Sequence, residues 1–129
     1  MRTMQITDLN HVAIHVADLE ASKRFYGEVL GLPTKKRPAF DFEGEWYQLG
    51  PTRELHLLAG RELDCVSHHR GAHFAFEVPS IEDAMAELKQ KGAEIVLGPQ
   101  TRPDGAQQIF LLDPDGYWVE LCDLSGVQP

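Results

Sequence analysis

An internal repeat constrains this chain more than any other feature. Laying His11 over His73 places HVAIHVADLEAS, residues 11–22, on HFAFEVPSIEDA, residues 73–84. Both stretches read as a strand with period-two alternation running into a helix start. Asp18 and Ser80 take the N-cap position, and Glu20, Glu82 and Asp83 put carboxylates in the first turn, where the helix dipole favours them. Apolar residues then recur at helical spacing: Leu19, Phe25, Tyr26, Val29 and Leu30 in the first half, Ile81, Ala84, Met85 and Leu88 in the second. Gly31 and Gly92 supply the stops.

Short strands are expected after each helix. In the first half they fall at Thr34–Arg37, Trp46–Leu49 and Glu54–Leu58, with a turn at Glu43 and Gly44. In the second half they fall at Ala93–Leu97, Gln107–Leu112 and Tyr117–Cys122, with turns at 103–105 and 113–116. Each half is therefore strand, helix and three strands, and the polar stretch Gly60–Arg70 links them. Units of roughly 60 residues bury proportionately little surface, so the two must pack together, within one chain or across a dimer.

Alternation sorts the side chains of the first strand of each half. Val12, Ile14 and Val16 share a face that should cover the helix, and His11, Ala13 and His15 take the other. In the second half Phe74, Phe76 and Val78 oppose His73, Ala75 and Glu77. The last strands repeat as well, LHLL at 55–58 lying over VELC at 119–122, which makes His56 and Glu120 equivalent. The offsets, 62 residues for the histidines of the first strands and 64 for the last strands, differ by what one loop absorbs. His11, His56, His73 and Glu120, if they converge, form an N3O donor set suited to one zinc, iron, nickel, cobalt or manganese ion. Such an ion would satisfy polar groups that otherwise cost roughly 1–3 kcal/mol each to bury unpaired. His15 and Glu77 are expected at strand ends facing solvent, and His68 and His69 in a solvated basic turn beside Arg70.

Composition removes other classes. A formal charge of −8 over 129 residues disfavours nucleic acid and acidic membrane surfaces, both of which call for a basic face. No run approaches the roughly 18 apolar residues that span a bilayer, and the N-terminus lacks a signal-peptide pattern, so a cytoplasmic location is expected. Cys65 and Cys122 are far apart and form no C-x-x-C motif, which suggests free thiols, Cys122 as a small buried hydrophobe.

The stretches NHVAIHVADLEASKRFYGEVLGL, GAHFAFEV and FLLDPDGYWVELCD resemble the vicinal oxygen chelate superfamily, which includes glyoxalase I, extradiol dioxygenases, fosfomycin thiol transferases and bleomycin-binding proteins. The resemblance runs from about Ile6 to Leu124 and is most like small glyoxalase-I-like proteins. It implies an α+β fold: a single domain over 1–129, built from βαβββ modules at about 6–59 and 71–124 joined by a linker at 60–70, with a cup-shaped mixed sheet and the helices outside. Carried over by position, the metal ligands are His11, His56, His73 and Glu120, with zinc or nickel favoured. The resemblance also implies a homodimer, because sites in this family often form between modules of two subunits. One departure stands out: glyoxalase I usually has a glutamate where this chain has His56.

The reaction expected first is that of a metal-dependent lyase or isomerase of the lactoylglutathione lyase type, acting on a hemithioacetal or related 2-hydroxycarbonyl compound such as a glutathione or other thiol adduct. A metal-stabilised enediolate would form as Glu120 takes a proton. An Fe(II) extradiol-type dioxygenase or a thiol transferase could use His11, His73 and Glu120 as a triad. A non-catalytic antibiotic-binding protein is the third alternative. Phe40, Phe42, Trp46 and Tyr47 could wall a substrate pocket or pack in a core.

Overall fold

The computed structural model describes residues 4–128. The chain runs β1 (His11–Val16), α1 (Leu19–Lys23) continued by a π-wound stretch (Arg24–Val29), β2 (Thr34–Lys35), β3 (Gly44–Leu49) and β4 (Arg53–Ala59). The second module runs β5 (Phe74–Glu77), α2 (Ile81–Gln90), β6 (Leu97–Thr101), β7 (Gln107–Leu112) and β8 (Trp118–Asp123). Two four-stranded mixed sheets result, ordered β1-β4-β3-β2 and β5-β8-β7-β6. This is the α+β vicinal oxygen chelate fold that the sequence implies.

The helix caps follow from local chemistry. Asp18 accepts from the Ala21 N–H and Ser80 from the Asp83 N–H, each satisfying a backbone donor that the helix leaves open. Gly31 and Gly92 end the helices at positive φ, 74° and 71°, a conformation that costs glycine nothing. α2 is regular and buries only Ile81 and Leu88. The first helix has more to cover. Tyr26 is fully buried among Ile14, Val16, Tyr47, Leu55 and Leu57, while Val29 packs on the cluster of Ile81, Leu88, Ile109 and Leu111 and Phe25 touches both. The wider winding, with Leu30 N–H donating to Phe25 at 2.9 Å, accompanies this double burial.

The modules are joined by the turn between β7 and β8. Asp113, buried, accepts from the Tyr26 hydroxyl at 2.7 Å and from the Asp115 and Tyr117 N–H groups. Asp115 accepts from the Ala17 N–H at 2.8 Å and from Arg61 Nε at 2.9 Å, and the Tyr117 hydroxyl donates to the His15 carbonyl. Burial pushes the Asp113 carboxyl up, against the pull of its three donors.

Three expected strands shift. β2 stops at Lys35. Gly44 opens β3 instead of making a turn, because a Cβ there would lie 2.3 Å from the Leu57 carbonyl oxygen of the neighbouring strand. The apolar run Ala93–Leu97 mostly precedes β6, which begins at Leu97 and includes Gly98 and Pro99. Pattern reading passes over such a pair, and the ladder accepts it through a register shift between Leu97 and Gln100. Among the described residues no helix is long and apolar enough to cross a membrane.

Candidate metal centre

Strand register reproduces the repeat at the level of paired residues. In the first sheet β4 sets His56 beside Ala13 of β1 on one side and Trp46 of β3 on the other. In the second, β8 sets Glu120 beside Ala75 of β5 and Phe110 of β7. A small residue and an aromatic thus flank each candidate ligand. The apolar residues between them, Leu55 and Leu57 in β4 and Val119 and Leu121 in β8, are buried on the opposite face.

The four predicted ligands form two pairs. His11 and His56 stack with ring centroids 4.3 Å apart, and His73 Nε2 lies 3.0 Å from Glu120 Oε1. No three His, Cys, Asp or Glu side chains among the described residues come together as a metal-binding group within this chain. The structure therefore brings partners together within each module and does not bring the two pairs together. A cleft of about 400 Å³ runs along the first strands of both modules, and His11, Glu54 and His73 line it.

Hydrogen bonds decide which ring nitrogens hold lone pairs. His73 has an acceptor at each ring nitrogen, the Gly71 carbonyl 3.1 Å from Nδ1 and the Glu120 carboxylate 3.0 Å from Nε2, so a neutral ring that donates to Gly71 leaves its lone pair facing Glu120. A lone pair against a carboxylate oxygen at 3.0 Å is repulsive unless a proton or a cation lies between them. The donor set therefore fits a divalent ion. The other carboxylate oxygen, Oε2, accepts from Gln108 Nε2 at 2.9 Å, and Glu120 is buried. His11 Nδ1 is likewise tied, to Asn10 Oδ1 at 2.8 Å, which frees Nε2.

His56 is held differently. Its ring lies parallel to Trp46, 1° and 3.9 Å between centroids, and its Nε2 donates to Glu54 Oε1 at 2.8 Å. Lys35 also bonds Glu54, and these two contacts, Lys35 first, hold the Glu54 carboxyl below the ordinary glutamate range. Glu54 and Gln108 were not singled out in the sequence. Strand parity offered a signal for Glu54, which shares a face with His56 two positions on. Gln108 had none, since an amide in a strand reads as solvent-facing.

Other expectations sort as follows. His15 and Glu77 are exposed, as expected, with His15 Nε2 against the Ala59 carbonyl. His68 and His69 lie against Trp118, at 5.6 and 5.0 Å, and His69 also lies 5.8 Å from Phe110, so this turn covers the aromatic side of the second sheet. Burial, then the charges of His68, Arg70 and His73, holds His69 below the ordinary histidine range. Tyr47 belongs to the core, whereas Phe40 and Phe42 are exposed, stacked on each other at 5.1 Å and each beneath the Arg37 guanidinium. Both cysteines are free and partly buried.

The model of the Glyoxalase/Bleomycin resistance protein/Dioxygenase superfamily matches residues 8–121. Glyoxylase I 4 of Arabidopsis thaliana is 29% identical over 132 residues, covering 96% of this chain and 75% of that protein. A lactoylglutathione lyase of Pseudomonas aeruginosa is 30% identical over 148 residues, covering 90% of this chain and 82% of that one. A crystal structure of a Bacillus anthracis protein assigned to the glyoxalase family superposes with a TM-score of 0.81 at 27% identity, covering 95% of this chain and 98% of its own.

Proposed function

The chain belongs to the Glyoxalase/Bleomycin resistance protein/Dioxygenase superfamily, and on that premise we propose that it is a metal-dependent lyase of the lactoylglutathione lyase type. Its substrate is a hemithioacetal, a thiol adduct of a 2-oxoaldehyde such as the glutathione adduct, and its product the isomeric 2-hydroxy thioester. The observation that carries this reading is the His73–Glu120 pair, an imidazole nitrogen held 3.0 Å from a buried carboxylate, at the place equivalent to His11–His56.

A divalent ion, zinc or nickel by preference, would supply Lewis-acid polarisation of the substrate. His11, His56, His73 and Glu120 would hold it. Because one chain brings them together only as two pairs, a second copy completes the set, module one of each subunit facing module two of the other. Glu120 takes the proton from the carbon next to the carbonyl and returns it to the adjoining carbon. Gln108 steadies this carboxylate by donating to Oε2.

Isomerisation of the methylglyoxal–glutathione hemithioacetal, followed anaerobically with zinc, nickel, cobalt or manganese added in turn, tests the reading. Turnover with at least one ion is expected. No turnover with any of them, together with oxygen uptake on added Fe(II) and a catechol, overturns it in favour of an oxygenase.

A further inference from the structure

The superfamily resemblance carries a glutamate to position 56, where this chain has histidine, yet module one does not lack a carboxylate on that face. Glu54 lies two residues earlier on the same strand and face, in register with His11, and its Oε1 is 2.8 Å from His56 Nε2. The Glu54 side chain is 14% exposed and that of His56 12%, so the bond is sheltered from competing water. Lys35, reaching from β2, bonds the other carboxylate oxygen and anchors it. The His56 ring is confined on both faces, by His11 and by Trp46. A carboxylate accepts only, and Glu54 is the one acceptor on the His56 ring among the described residues, so the proton of the neutral ring is on Nε2.

We propose that Glu54 is a positioning residue that locks His56 in the Nε2–H tautomer, making Nδ1 the nitrogen through which His56 donates to a divalent ion. This deepens the metal-lyase reading and rests on it. The physical basis is general: a carboxylate accepting the second N–H of a ligand imidazole fixes its tautomer and orientation and raises its basicity, and removing such a partner typically costs roughly 10–100-fold in metal affinity. The two other histidines are set the opposite way, with Nδ1 tied to Asn10 in His11 and to Gly71 in His73. Of the three ligand histidines, His56 alone thus presents Nδ1.

The test reads the tautomer directly. In full-length protein labelled with 15N-histidine, at a pH where the imidazoles are neutral, long-range 1H–15N correlations report which nitrogen of His56 is protonated. Nε2–H is expected in the wild type, a mixture of tautomers in Glu54→Ala, and an intermediate pattern in Glu54→Gln, which keeps an acceptor oxygen beside a donor. Addition of Zn2+ alone should move the Nδ1 resonance of His56 and the Nε2 resonances of His11 and His73, and zinc affinity should fall roughly 10–100-fold in Glu54→Ala. An unchanged tautomer in Glu54→Ala, or a zinc-induced shift on His56 Nε2, overturns the proposal. If the wild type binds no zinc, the metal-lyase reading fails and the donor role of Nδ1 with it, while the apo tautomers still decide whether Glu54 locks the ring.

Discussion

The two modules share a backbone plan and a register, down to the alanine and the aromatic beside His56 and Glu120. They differ in where they put charge. Module two sets a carboxylate at the ligand position itself and steadies it with a neutral amide, Gln108. Module one sets an imidazole there and steadies it with an ion pair, Glu54 and Lys35. The strand register must hold the core, and it leaves the side chains on the opposite face free to differ.

The comparison is broken most completely by separating the pairs. A chain carrying His11→Ala and His56→Ala, and a second carrying His73→Ala and Glu120→Ala, should each lose tight metal binding and activity. If the site is shared between subunits, mixing the two under conditions that exchange subunits should restore one intact site per heterodimer. Metal analysis and turnover of the mixture check this, and no recovery means that the four ligands meet within one chain or not at all.

The next effect is on stability, and it too is lopsided between modules. The turn at 114–116 is flanked by Asp113, which takes three donors, and carries Asp115 against Ala17 and Arg61, whereas Pro51 and Thr52 in the corresponding turn of module one are exposed. Asp113→Ala leaves a buried tyrosine hydroxyl and two N–H groups without their acceptor, and should cost about 3 kcal/mol in urea unfolding. Tyr26→Phe, which removes one donor of three, should cost about 1 kcal/mol.

Turnover sharpens the comparison. Glu120→Gln should lower it by roughly 10²-fold at saturating metal, since an amide cannot accept the proton. His56→Gln should be milder, because an amide oxygen still reaches an ion and the base is intact. Equal losses from both would mean that the modules do not differ in role.

The smallest effect concerns the outer turns. Module two closes β6 and β7 with Arg102 clasping Asp104, whose carboxyl is held down at about 2 by that contact first and by the Ala106 N–H. A lowered carboxyl contributes stability that is present above the ordinary aspartate range and is lost as pH falls through about 2. Arg102→Ala should raise the Asp104 titration midpoint toward the ordinary range, seen by NMR of the carboxyl carbon, and shift the acid limb of stability upward. Module one, whose corresponding loop packs Arg37 on Phe40 and Phe42, should be unmoved.

Much of this was legible before any coordinates. The caps at Asp18 and Ser80, the stops at Gly31 and Gly92, and the equivalence of His56 with Glu120 all follow from spacing, because caps, turns and period-two alternation are local properties of the chain. β6 was misplaced for the same reason: the apolar run 93–97 looks like a strand locally, while the pairing of 97–101 with β7 is long-range. The Lys35–Glu54–His56 chain joins two strands through side chains, β2 to β4, and only its last two members share one.

What the sequence by itself determined is the repeat, and with it two modules, the face on which each candidate ligand stands, and the small neighbours that make room for it. Tertiary structure decided the grouping: His11 with His56 and His73 with Glu120, the first helix drawn into both cores, and a carboxylate tied to His56 from a position no motif marked. The reason is physical. Alternation assigns a side chain to a face within one strand, but distances between strands depend on register and packing, which the whole folded chain sets at once.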